Sequence, residues 1–557
     1  NPKLKRICSL LSSCFATCFI FIFLITAFLC STLPSNSLPN NSGRILKLKS
    51  ERLLLTDRTA NPSKSEKFGK QVFNVKDYGA KADGKTMDTD GINSAIDAAA
   101  AAGGGVVLFP SGTYLSGSIH LKSNITLFLQ RGSIIEASAK AGYYDVAELN
   151  SSDLYQDFGH SHWHTGLIWG ENLSDISIEG YGIIFGKGLS RNRKSDNLPV
   201  GMADKVIALK NCRNVVLRDF SILHGGHVGI LTTGINNLSI QNLRIDTNRD
   251  GINVDGCKNV KISGCSINSP FNDAICLKSS YALGYRMATE DVIISDCMVT
   301  GGYREGTLLD GTFELLDSTE RPQSPTGRIK IGSESNGDFR NIVINNCIFN
   351  YCRGIAIQGV DGGTIEDVSI SNITMRNLTG PPLFLRLGAR LRGPAGSTVG
   401  SLRRININNL VAFDAPAEIG CVITGIPGHY IEDISIANTM IVFKGGGSKE
   451  DSGISPPEKE DSYPEINVFG KMPSYGFFVR HIKGLVLNNL KMSFEVPDAR
   501  PPFVLEDVEN AHFWGIQVKR INDVPWFILK NVSDFSVKLS PEIKDTVVEL
   551  TKNNDIY

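Results

Sequence analysis

The chain has 557 residues, with 57 lysines and arginines balanced by 57 aspartates and glutamates. That balance supplies no global field to draw in nucleic acid or an anionic membrane, so an anionic ligand has to be met by a local basic patch. Glycine is abundant at 55 residues, and Asn, Asp and Gly recur between short β-branched runs, which is the composition of an all-β protein with many tight corners and little helix.

Lys3, Lys5 and Arg6 precede an apolar run from Leu10 to Cys30. Residues 1–31 therefore read as a signal peptide, and an uncleaved signal-anchor is the alternative because the run approaches the roughly 20 residues that span a bilayer. The protein is expected outside the cell, in the wall, or in the Golgi or another endomembrane if the segment is kept. Only in the second case is membrane contact expected. Residues 32–70, rich in Ser, Asn, Pro and Lys without apolar period, read as a disordered linker. Residues 71–557 read as one domain.

After Val72, Asp88 or Thr89 can cap a helix running through Ile92, Ala95 and Ile96 to the glycines at 103–105. Such a helix covers the open end of a stack. Beyond it one phrase keeps returning: NITLFL from Asn124, NVVLRDFSI from Asn214, NLSIQNLRI from Asn237, NVKISGCSI from Asn259, NIVINNCIF from Asn341, DVSISNITM from Asp367. A repeat of this length, with alternating apolar residues and an Asn or Asp at a fixed corner, predicts a single-stranded right-handed parallel β-helix of about ten to thirteen coils. Inserts interrupt it near 143–165, 301–326, 388–402 and 444–475, and inserts on one side of a solenoid usually build its binding cleft. Cys265, Cys297 and Cys347 end equivalent phrases and should stack inside successive coils as packing residues.

The chemistry concentrates between Asp246 and Ser279. Asp250 and Asp273 lie one period apart, so they should face each other on neighbouring coils, where paired carboxylates can cleave a glycosidic bond. Aligning the inward residues sets Asp255 beside Lys278 and places Asn253, Cys276 and Lys330 in a second row. Lys278, Arg328, Lys330 and Arg386 then form a basic strip suited to a polymer with one carboxylate per sugar. The alternating His160, His162 and His164 would share one face of a strand, but no acid or thiol accompanies them, and with Trp163 and Trp169 they read as a sugar-stacking loop or as packing. No metal site and no cofactor is expected. Sequons at Asn40, Asn124, Asn150, Asn172, Asn237, Asn372, Asn377 and Asn531 permit glycosylation after export, although several fall on the repeat's corner.

From Val72 to Asp507 the chain resembles glycoside hydrolase family 28, the polygalacturonases, and within it a plant and bacterial exo-type branch. The segments that carry the likeness include FNVKDYGAKADGKT, TNRDGINVDGC, NDAICLKSSYALG, GRIKIGSESNG and CRGIAIQGVDGG. The resemblance implies metal-free inverting hydrolysis of α-1,4-galacturonosyl linkages in pectic polysaccharide or oligogalacturonides by an exo-acting monomer.

The resemblance also assigns roles. Asn248 and Asp250 match the family's first motif, and Asn272 and Asp273 match its paired acids. Asp250 and Asp273 would act on water, while Asn272 stands where the general acid usually is and cannot deliver a proton. The family's histidine falls on Gly327, and its Arg-Ile-Lys clamp becomes Ala356, Ile357 and Gln358. Lys278, Arg328 and Lys330 could replace the clamp, and Glu334, in the glycine-rich turn, is the spare acid nearest by motif. Three readings follow: an exo-polygalacturonase, a catalytically silent pectin-binding wall protein on the same fold, and a rhamnogalacturonan hydrolase.

Overall fold

A computed structural model describes residues 71–191, 198–317, 319–320, 322 and 324–557. The signal and linker readings of residues 1–70, and the sequon at Asn40, lie outside the described residues. The rest is a right-handed parallel β-helix. In one coil the strands Lys205–Lys210, Arg213–Arg218 and Ser221–Leu223 follow one another around three faces. Each pairs in parallel with its counterpart on the next coil, Val228–Thr233, Asn236–Gln241 and Arg244–Asp246.

The repeat works because every inward position meets its own kind one coil away. Ile207, Ile230, Ile252, Ile275 and Ile329 stack as register partners, and all are fully buried. Burial of each such side chain contributes about 1.5–3 kcal/mol. The corners are held differently. Asn214, Asn237 and Asn259 adopt positive φ, which asparagine tolerates because its short side chain bonds locally, and the Asn237 amide donates to Asn214 at 2.9 Å. The sequon residues Asn124, Asn172, Asn237, Asn372, Asn377 and Asn531 all sit at positive φ, so they serve the corner geometry. Cys265, Cys297 and Cys347 are buried free thiols, each donating to the carbonyl two residues before it.

Helix α1, Thr89–Ala101, covers the N-terminal end and buries Ile92, Ala95, Ile96 and Ala99. Asp88 stands at its N-cap position, but the carboxylate accepts from the backbone N–H groups of Lys81 and Ala82 and not from the helix. At the other end Phe527–Lys538 pairs antiparallel with Thr546–Ile556, which ends the stack.

The face that matters for function runs through β1 (Asp250–Asp255), β2 (Ile275–Ser279), β3 (Ile329–Ser335), β4 (Ile355–Gly359) and β5 (Leu383–Leu387). Its register sets Asp255 opposite Lys278, Asn253 opposite Cys276, and Cys276 opposite Lys330. Between Leu277 and Ser279 the register shifts, so residues 332–334 of β3 bulge against Lys278.

Candidate active site

Asp250 opens β1, and Asp273 lies just before β2. The backbone N–H of Gly251 donates to the Asp273 carbonyl and that of Ile252 to the Ala274 carbonyl, which locks the two acids onto neighbouring coils. Only glycine allows this approach at position 251, where a Cβ would lie 2.5 Å from the Ala274 oxygen.

Both acids line a cavity of about 110 Å³, together with Asp157, His160, His227, Arg249, Asn272, Lys278, Lys330, Glu334 and Tyr463. The Asn272 amide donates to Asp250 Oδ2 at 2.6 Å. Asp273 is held on both oxygens, by Arg328 Nε at 2.9 Å and by Lys330 Nζ at 3.1 Å. Glu334 Oε2 accepts from Lys278 Nζ at 2.8 Å, and its Oε1 accepts from Arg392 at 2.9 Å.

These partners drive the acids apart in proton affinity. Burial pushes the Asp250 carboxyl above the usual carboxylate range, and the nearby Lys278 and Arg249 only partly oppose it. Burial acts on Asp273 in the same sense, but Lys330 and Arg328 outweigh it and hold that carboxyl down at about 2. Glu334 is likewise held well below its ordinary value by Lys278, Arg392 and Arg390, against the effect of burial. The imidazoles go the other way. Burial, aided by Lys278 for His160 and by Arg249 for His227, pushes both down to about 3. The 3.6 Å approach of His160 Nε2 to Asp250 Oδ2 is therefore made by a neutral imidazole near neutral pH.

All four inserts reach this face. The first brings Asp157 and His160 on a single turn, α2 (Phe158–Ser161), and Asp157 pairs with Arg392 of the third insert at 3.0 Å. Gln156 reinforces that junction by donating to Asn336 at 3.1 Å. The last insert lays Tyr463, Pro464 and Glu465 over the sheet. Glu465 accepts from Arg328 at 2.5 Å and also pairs with Arg353, and the Pro464 carbonyl accepts from Gln358. Past Asn272 and Arg249 a larger cleft of about 940 Å³ opens, lined by residues that include Pro322, Thr326, Arg353, Lys444 and Tyr463. The chamber thus shares Arg249, Asn272 and Tyr463 with that cleft, and Asp157 with a second cavity of about 540 Å³ lined by Gln156, Phe158 and Arg392.

Several expectations need correction. The basic strip is largely spent on internal pairing: Arg328 faces Asp273 and Glu465 and does not line the chamber, and Arg386 binds the carbonyls of Gly425, Glu458 and Lys459. Lys278 lies in register with Asp255 but pairs with Glu334, because the bulge in β3 brings that acid closer; Asp255 instead accepts from the Ser280 N–H and hydroxyl. Glu334, ionised and doubly paired, is no proton donor. The three histidines do not share a strand face. His160 lines the chamber, His162 stacks on Phe158, and His164 stacks on Trp169. Trp163 is fully buried and donates to Thr233, so it stacks on no sugar.

Asn248 and Asn253 stay close to the acids. Asn248 Oδ1 and both amide atoms of Asn253 are buried without a hydrogen-bond partner. The residues that motif reading missed are His160, His227, Arg249, Asp157 and Tyr463. Arg249 carried a signal as the middle residue of the N-x-D motif, and His160 as one of the alternating histidines.

The family described as "Rhamnogalacturonase A/epimerase, pectate lyase-like" matches residues 72–301. A probable polygalacturonase of Vitis vinifera is 26% identical over 391 residues, covering 66% of this chain and 73% of its own length. Over those residues the chain is similar to a polygalacturonase. The chain is also 26% identical over 324 residues to an exo-poly-alpha-D-galacturonosidase of Dickeya chrysanthemi, covering 56% of this chain and 51% of that protein. A hyperthermoactive exopolygalacturonase from Thermotoga maritima shares its fold, with a TM-score of 0.55 and 22% identity over 67% of this chain and 87% of the other. The chain thus shares the parallel β-helix fold of that exopolygalacturonase.

Proposed function

We propose that the protein hydrolyses pectic polysaccharide from a chain end, releasing a terminal galacturonosyl residue with inversion. The observation that carries this reading is the divergent pair, one carboxyl pushed up by burial and one held ionised by two cations, on adjacent coils of a chamber. Asp250 is the proton donor. It protonates the glycosidic oxygen as the bond to the anomeric carbon breaks. Asp273 orients a water on the opposite face and accepts its proton as the new C–O bond forms. Asn272, which cannot donate a proton to the leaving oxygen, anchors Asp250 through its amide.

Support for end-wise action comes from the first insert, which the Asp157–Arg392 pair and the Gln156–Asn336 bond tie to neighbouring segments beside the chamber. In this reading one sugar occupies the chamber beyond the acids, and the remaining chain lies along Arg249, Arg353 and Lys444. The same proposal puts the protein where its polymer is, outside the cell, in keeping with the reading of residues 1–31, and as a monomer.

A second reading, a silent pectin-binding protein, is favoured by Asn272 at the usual donor position. Chromatography of products from polygalacturonate and from rhamnogalacturonan oligomers separates the readings. Monomer release from the first supports exo-polygalacturonase action, release from the second alone moves the substrate to rhamnogalacturonan, and binding without release leaves a wall-binding protein.

A further inference from the structure

His160 is nine-tenths buried, yet neither of its ring nitrogens has a hydrogen-bond partner. Nε2 stops 3.6 Å from Asp250 Oδ2, and Nδ1 stops 3.9 Å from Asp157 Oδ2, both beyond hydrogen-bond range. Buried polar groups are normally satisfied, and one left open toward a cavity marks a place for a ligand atom. The ring is also firmly seated. Gly159 packs against His227 so closely that a Cβ there would come within 2.4 Å of that ring, and the two imidazole centroids are 5.4 Å apart. Asp157, three residues earlier, is tied to Arg392. The insert thus presents an unbonded imidazole to the chamber.

We propose that His160 hydrogen-bonds the C4 hydroxyl of a non-reducing terminal sugar, and so makes the site select a chain end that carries this hydroxyl. An interior sugar has its C4 oxygen in a glycosidic bond and lacks the hydroxyl. So does the 4,5-unsaturated terminus left by a lyase. The groups facing the ring are Asp157, Asp250, Arg249, Lys278, Glu334 and His227, and burial keeps the imidazole neutral among them. A neutral ring both donates and accepts, which suits a hydroxyl.

This inference rests on the end-wise reading, but its test does not require turnover. Calorimetric binding of saturated and of 4,5-unsaturated trigalacturonate is compared for the native protein, His160→Gln and His160→Ala, with hydrolysis rates measured in parallel. The native protein is expected to prefer the saturated trimer by about tenfold to a hundredfold, the cost of leaving one buried polar group unpaired. His160→Ala should bring that ratio near one, and His160→Gln should restore part of it. A purely structural role would weaken both ligands alike and leave the ratio unchanged, which overturns the proposal. So does a native protein that shows no preference. Absence of turnover with the ratio intact removes the hydrolase reading and leaves the role of His160 standing.

Discussion

Asn272 holds Asp250 by a 2.6 Å hydrogen bond from its amide to Oδ2. The amide thus sits where the family resemblance places the proton donor, in direct contact with a carboxyl whose proton affinity is raised. In the proposed mechanism the donor is therefore Asp250, one coil away.

A first prediction concerns that role. Asp250→Asn should lower kcat on trigalacturonate by about 10²–10⁴-fold. On an aryl galacturonide with a good leaving group, which needs no protonation, the loss should be much smaller. Asp273→Asn should impair both substrates alike. Comparing the two substrates for each variant checks the assignment.

The pH profile follows from the same pair. Asp250 acts protonated, so kcat/KM should fall as pH rises through its raised pKa. Asp273 acts ionised, and its carboxyl is held at about 2, so activity should persist far into acid. In Asn272→Asp a second carboxyl would lie against the first; the two cannot ionise together, and the basic limb should move to higher pH by about one unit or more. A pH–rate series on both proteins measures it.

Stability should depend on the clamp around Asp273. Arg328→Ala strands part of the charge on Asp273 and Glu465, and breaking a buried pair costs about 3–5 kcal/mol near pH 7. The sign follows from linkage. The folded pKa of Asp273, about 2, lies below its unfolded value, so the stabilisation is present above that value, near 3.9, and is lost as pH falls through about 2. Thermal melts should show the variant far below native at neutral pH and the gap narrowing toward pH 2.

Opening the wall should change the products. Asp157→Ala with Arg392→Ala removes the 3.0 Å pair between the first and third inserts. Early digests of polygalacturonate should then contain oligomers in addition to monomer. A native-like monomer-only pattern would place the barrier elsewhere.

Much of this was legible in the chain because a solenoid turns sequence spacing into spatial neighbourhood. The stack of Asn253, Cys276 and Lys330, and the placing of Asp250 beside Asp273, came from the period alone. The bulge of β3 was not legible, since a local register shift leaves the apolar alternation intact; it moved Lys278 from Asp255 to Glu334. Nor were the insert residues. Asp157 meets Arg392 across 235 positions, and Glu465 meets Arg328 across 137, through segments without repeat. His160 was visible only as part of a histidine cluster whose strand geometry proved to be a single helical turn.

The central claim is that a site with Asn272 at the usual donor position still hydrolyses the glycosidic bond. Proton NMR of the first products from saturated trigalacturonate and native protein tests it most directly. Hydrolysis from the chain end predicts digalacturonate together with free galacturonate whose newly formed anomeric centre is inverted, the β-anomer appearing before mutarotation. Trigalacturonate that binds and stays uncleaved would contradict it.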